Sequence, residues 1–183
     1  ILINSNKTSA ENFIVQLYGA DFITFYKVSF SSPGTLYNHR CLVLENGAHH
    51  AHVLNCKFSG ASNWTGGKDL IYSPNTNDSC MEIRNNYFIL GSYAITLLGI
   101  DQFTPETGHI ISDNYFKHQY GGAIFGKYIS NTLISNNIIN PDNSGDFFSG
   151  IDVHFYSDNI QIHSNIITEL YNPHTTNGCR AIY

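Results

Sequence analysis

Charge is what this sequence has least of. Asp, Glu, Lys and Arg make up 13% of its 183 residues, about half the usual share. Apolar residues still reach 42% and aromatics 14%, which supports one continuous core and excludes a disordered tail. The nine Lys and Arg are scattered and the net charge is -5, so no basic face for nucleic acid is expected. No apolar run approaches the roughly 18 residues of a membrane-spanning helix. There is one Met and one Trp. Ala, Leu, Glu and Lys are scarce, while Asn and Ile number 21 and 22, which argues against a mainly helical protein. An initiator Met and a signal-peptide pattern are both missing. Ile1 and Tyr183 fall in apolar segments, which reads as a trimmed piece of a longer protein. Cys41, Cys56, Cys80 and Cys179 show no CxxC or Cys/His zinc spacing, so no metal site is expected.

What is present is a repeat. Six segments end alike: Tyr26–Phe30, Leu54–Phe58, Arg84–Phe88, Ser112–Phe116, Ser135–Ile139 and His163–Ile167. Their closing residues are spaced 28, 30, 28, 23 and 28 apart. Two residues before the close stands Asn86, Asn114, Asn137 or Asn165, with Val28 and Cys56 in the other two segments. A weaker apolar series precedes these: Phe13–Gly19, Cys41–Gly47, Ala94–Gly99, Gly122–Gly126 and Gly150–Phe155. Each repeat thus carries at least two short strands, and Gly-, Pro- and Asn-rich loops separate the repeats. Leucine-rich repeats share the length, but their signature is missing, and propeller blades are longer. A parallel β-helix fits, as a single domain over residues 1–183 with six to seven coils of 23–30 residues. Stacked Asn side chains would bond along the axis, and stacked Phe and Ile would fill the interior.

Gly19–Phe25 with Val28-Ser29-Phe30, Arg84–Phe88 and Ile134–Ile139 together resemble the repeat unit of the right-handed parallel β-helix, or pectin-lyase-like, family. Asp69–Ser73 and Gly91–Ile95 extend the likeness to β-helix regions of secreted surface proteins of Bacteroidetes-type bacteria. The resemblance covers nearly the whole chain. It implies an all-β right-handed solenoid and an extracellular or cell-surface location. It does not select a function, because one fold hosts many.

Lyases of this family use a Lys or Arg base with acidic residues that hold Ca²⁺, and its hydrolases use clustered Asp. This sequence has no adjacent Asp pair and no Gly-His-Gly. Its best constellation is Asp152 with His154. Alternation in the strand places Ile151, Val153 and Phe155 inward and those two on the outer face. A carboxylate beside an imidazole is suited to acid–base work; the plain alternative is a solvated strand face. Glu45 falls several coils away. In His49-His50-Ala51-His52, His50 and His52 would share a face, but no nearby carboxylate completes a metal site, so ordinary surface histidines are expected. Trp64, in the longest polar loop, is a candidate for stacking on a sugar ring or for capping an apolar edge. Tyr18, Tyr72, Tyr93, Tyr120 and Tyr128 are candidates for an outward aromatic strip. Register places Cys56 at the Asn position and Cys80 beside His50, and separates Cys41 from Cys179 by about five coils, too far for a disulfide. Free thiols are expected.

Two classes of function stay open. One is a non-catalytic extracellular surface module that contacts carbohydrate. The other is a polysaccharide lyase or glycoside hydrolase with its site in the β-helix groove; Ca²⁺ enters only with the lyase. A phage tailspike-like fibre is a third option. Exposed coil ends are expected either to meet the rest of a parent chain or to self-associate.

Overall fold

A computed structural model describes residues 2–3, 13–33, 39–61, 67–141, 148–168 and 180–182. The chain is an all-β parallel solenoid. After β1 (Leu2–Ile3), each coil contributes strands to three faces. The first is β2 (Phe13–Tyr18), β3 (Thr24–Tyr26) and β4 (Ser29–Ser31). Then come β5 (Arg40–Glu45), β6 (His52–Leu54) and β7 (Lys57–Ser59), followed by β8 (Ile71–Thr76), β9 (Glu82–Arg84) and β10 (Tyr87–Ile89). The next coil has β11 (Tyr93–Gly99), β12 (Glu106–Thr107), β13 (Ile110–Ser112) and β14 (Tyr115–Lys117). The last are β15 (Gly122–Lys127), β16 (Ile129–Ser135) and β17 (Ile138–Asn140), then β18 (Ser149–His154), β19 (Asp158–His163) and β20 (Ile166–Ile167), and finally β21 (Arg180–Ile182).

We call the faces A, B and C. Face A runs β1-β4-β7-β10-β14-β17-β20 and face B runs β2-β5-β8-β11-β15-β18-β21. Face C runs from β3 through β6, β9 and β13 to β16, which also pairs with β12 and β19. Every paired strand is parallel. The described residues make about five turns, against the six to seven expected. The repeat count included the end segments, and these contribute only β1 and β21. No helix in the described residues is long and apolar enough to cross a membrane.

The repeat is the C-to-A corner. Lys27, Asn55, Asn85, Asp113, Asn136 and Ser164 all take left-handed φ between 55° and 59°. That conformation suits Asn and Asp best. The ladder residue comes one position later, so tolerance of this conformation explains the residue before the ladder Asn and not the ladder Asn itself. The ladder Asn is there for hydrogen bonding. Asn114 Oδ1 accepts from the Asn86 backbone N–H at 2.9 Å and from Asn86 Nδ2 at 3.0 Å. Asn137 does the same for Asn114, and Asn165 for Asn137. Each Nδ2 also donates to a main-chain carbonyl of the coil before, at Val53, Ile83, Ile111 and Ile134. Cys56 opens the series, as register predicts: its N–H donates to Asn86 Oδ1, and its own side chain offers no such acceptor.

Inside face A, Phe30, Phe58, Phe88 and Phe116 stack with centroids 4.7, 4.9 and 5.0 Å apart. Ile139 and Ile167 continue the column by strand register. Inside face B, Val15, Leu42, Ile71, Ile95, Ile124 and Ile151 are aligned. This interior buries apolar side chains at the strand spacing, which is how a low-charge chain stabilises a solenoid. Cys41 and Cys56 are buried free thiols and Cys80 is an exposed one; Cys179 lies outside the described residues.

Candidate binding groove on face B

Face B carries a groove on its outside because its strands begin with a defect in alternation. Cys41 and Leu42 are both buried, as are Leu70 with Ile71, Ala94 with Ile95, and Ala123 with Ile124. The Cys41 and Leu42 N–H groups both donate to the Leu70 carbonyl, and those of Gly121 and Gly122 both donate to Ser92. Two residues opposite one is a β-bulge. The bend turns Arg40, Asp69 and Tyr93 outward on one side, while Tyr72, Thr96 and Phe125 point outward from the strands proper. Between these rows lies a cavity of about 490 Å³.

The groove is aromatic with charge set into it. The Arg40 guanidinium lies 3.6 Å from the centre of the Tyr72 ring. Asp69 is buried and accepts from the Tyr93 backbone N–H at 3.3 Å. Burial pushes its carboxyl up to about 6, against the pull of Arg40 and that hydrogen bond. The Tyr93 hydroxyl is also raised, first by burial and then by the charges of Asp152 and Asp69. The ring of Tyr93 occupies space that Gly122 leaves free: a Cβ there would lie 2.8 Å from the ring and 2.5 Å from the Ser149 carbonyl oxygen.

Rings continue out of the groove. Tyr93 is 5.5 Å from Phe125, Phe125 is 5.8 Å from His154, and His154 is 5.4 Å from Phe155. Tyr128 lies 6.4 Å from both Phe155 and Tyr156. The Lys127 ammonium sits over Tyr128 at 4.7 Å and over Phe155 at 5.0 Å. Six rings thus form one run across neighbouring coils, and Phe155 and Tyr156 at its end are mostly exposed.

Asp152 and His154 meet within this run, in contact through Asp152 Oδ1 and His154 Nε2. They share the outer face, as alternation predicts. Asp152 is buried there rather than solvated, with 7% of its surface exposed. Burial pushes its carboxyl up, and His154, Ser149 and Arg180 act against that. Phe155 is not inward: β18 ends at His154, and Phe155 and Tyr156 take left-handed φ of 49° and 53°, which swings them into solvent. Glu45 belongs to the column of His154 but four coils away, and it accepts from Gln16 Nε2.

The histidine run divides. His50 turns at φ 55° and stacks on Phe22 at 4.6 Å, whereas His52 Nδ1 lies 3.1 Å from Glu82 of the next coil. A carboxylate is therefore nearby after all; it comes from one coil on rather than from Glu45. Among the described residues no group of three or more His, Cys, Asp or Glu is placed to hold a metal ion. Trp64 lies outside the described residues. Of the tyrosines proposed as an outward strip, Tyr72 and Tyr93 line the groove, Tyr128 belongs to the ring run, and Tyr18 is exposed on another coil.

Arg40, Asp69, Thr96 and Phe125 were not singled out from the sequence. The signal that could have found them is the paired burial at the strand starts, read together with the third coil. There Ser73, Pro74 and Asn75 replace the apolar pattern, and the register with β11 shifts. No family model, curated protein or solved structure matches the chain.

Proposed function

We propose that this chain is an extracellular β-helical surface module of the pectin-lyase-like kind, and that it contacts polysaccharide through the face B groove. The observation that carries the reading is the groove itself: Tyr72, Tyr93 and Phe125 present ring surface to solvent beside Arg40 and Asp69, and the ring run leads on to Phe155 and Tyr156. Aromatic faces with polar groups at their edges suit a ligand that has both apolar faces and hydroxyls. Low charge keeps most of the surface neutral, which favours hydrogen bonding and stacking over ion pairing.

A second reading has its own observation. The contact of Asp152 with His154, partly shielded from water, supports acid–base chemistry in a polysaccharide lyase or hydrolase. One experiment separates the two. The purified chain is offered acidic and neutral polysaccharides with and without Ca²⁺, and binding, reducing ends and unsaturated-product absorbance are followed together. Binding without turnover supports the module. Turnover that vanishes in Asp152→Asn or His154→Ala supports the enzyme. Neither binding nor turnover across the panel refutes both.

A further inference from the structure

A second constellation lies inside the solenoid, away from the groove. Asp78, Glu106 and His109 are all buried. Ser73 is buried at a column position held by Leu97 in the next coil. Its hydroxyl lies 2.9 Å from Asp78 Oδ2 and is hydrogen-bonded to Glu106 Oε1. Asp78 Oδ1 accepts from the Ala48 N–H at 2.6 Å and from the Thr76 hydroxyl at 3.1 Å. His109 Nδ1 accepts from the Met81 N–H at 3.3 Å, and its Nε2 lies 3.4 Å from Glu106 Oε2.

Counting hydrogens fixes the protonation. The Ser73 hydroxyl has one hydrogen and two carboxyl neighbours. It can donate to only one of them, so the other contact needs a hydrogen supplied by a carboxyl. Asp78 Oδ1 already accepts from a backbone N–H and a hydroxyl, which leaves Oδ2 as the acceptor for Ser73. The hydrogen therefore belongs to Glu106, which donates to Ser73 while Ser73 donates to Asp78. A neutral His109 that accepts at Nδ1 must carry its hydrogen on Nε2, the ring nitrogen nearer Glu106 Oε2. Burial acts first to keep Glu106 protonated, with the Asp78 charge in support and hydrogen bonds at Ser73 and the Leu98 backbone acting against it, and burial holds His109 neutral down to about 4. The ionisable groups facing Glu106 are Asp78, from the turn before β9, and His109, three residues on.

We propose that this corner is a proton-dependent latch: one proton, held between Asp78 and Glu106, fastens three successive coils through Ala48, Ser73 and Met81, and its loss opens them locally. The direction follows from linkage. A buried acid kept protonated contributes its full stability at low pH and loses it as pH rises through its folded-state value. Two carboxylates would then face one hydroxyl in a buried site, with one lone pair unsatisfied.

The test is hydrogen exchange of the Ala48 and Met81 amides between about pH 5 and pH 9, corrected for intrinsic base catalysis. Between the carboxyl's value in the open state and its raised value in the closed state, the opening constant should rise by about tenfold per pH unit, the slope of a single proton, and it should level off above the closed-state value. Glu106→Gln keeps a donor for Ser73 and an acceptor for His109 but cannot ionise, so above about pH 7, where His109 is neutral whether the corner is open or closed, its protection should be independent of pH. Wild-type protection without pH dependence, or the same dependence in both proteins, overturns the latch. Where Glu106→Gln does not fold, infrared spectroscopy of the wild type decides instead. A buried protonated carboxyl band at neutral pH that disappears in alkali supports the latch, and no such band overturns it.

Discussion

Replacing Asn114 with Ala should remove about half of the stability a domain of this size holds. Its side chain is buried and makes four hydrogen bonds, two accepted from Asn86 and one each donated to the Ile83 carbonyl and Asn137 Oδ1. At a net of about 1 kcal/mol each, the four contribute about 4 kcal/mol. Their loss is not symmetrical. Asn86 Nδ2 keeps the Val53 carbonyl, and Asn137 Oδ1 keeps the Asn114 backbone N–H. The Asn86 backbone N–H and the Ile83 carbonyl lose their side-chain partner inside the solenoid, at about 1–3 kcal/mol apiece. A loss of roughly 3–6 kcal/mol stands against a total of about 5–15 kcal/mol. Asn114→Asp should be no better: it keeps an acceptor for Asn86 but turns carboxylate oxygen toward the Ile83 carbonyl and Asn137 Oδ1. Asn165→Ala, at the part-buried end of the ladder, should lose less, about 1–2 kcal/mol, because water reaches the groups left behind. Urea unfolding followed by far-ultraviolet circular dichroism measures all three. A loss below about 1 kcal/mol at Asn114, or equal losses at Asn114 and Asn165, would refute the claim that a buried amide ladder holds the coils together.

Other outcomes follow from the same geometry. Asp69 is raised from 3.8 to about 6, so its contribution is full below pH 3.8 and is lost as pH rises through 6; Asp69→Asn should flatten that fall and add up to about 3 kcal/mol at neutral pH in denaturant titrations. His109 is lowered from 6.5 to about 4, which has the opposite sign: stability should fall by about 3 kcal/mol on acidification through that window. Its imidazole resonances should show a neutral ring at pH 5. Gly122→Ala should drive a methyl group into the Tyr93 ring and the Ser149 carbonyl, lowering the thermal midpoint by an amount that corresponds to about 1–3 kcal/mol.

The coil repeat was legible because one corner repeats its chemistry in sequence order. Asn86, Asn114, Asn137 and Asn165 mark it, and the Phe30–Phe116 column confirms the register. The groove was much less legible. Its walls come from strand starts where two successive residues are buried, so a reading based on strict alternation assigns Arg40 and Asp69 no face. Phe155 departs from alternation for a related reason: it lies one residue past the end of β18, in a left-handed turn. Alternation gives the face of Asp152 but not its exposure, because its burial depends on neighbours such as His154 and Ser149 and not on its own strand. The interior cluster of Ser73, Asp78, Glu106 and His109 departs from apolar patterning altogether, and only three-dimensional proximity of adjacent coils unites it.

The most direct test of the groove is affinity. The polysaccharide that binds best in the panel is titrated into the wild type, Phe125→Ala and Tyr18→Ala, with urea midpoints measured alongside. Phe125 lines the groove, and Tyr18 is an exposed aromatic on another coil of the same face. The expected result is a loss of at least about tenfold, or 1.4 kcal/mol, in Phe125→Ala, with no change in Tyr18→Ala and little change in either midpoint. Equal affinity in all three proteins would contradict the assignment of this groove as the binding surface.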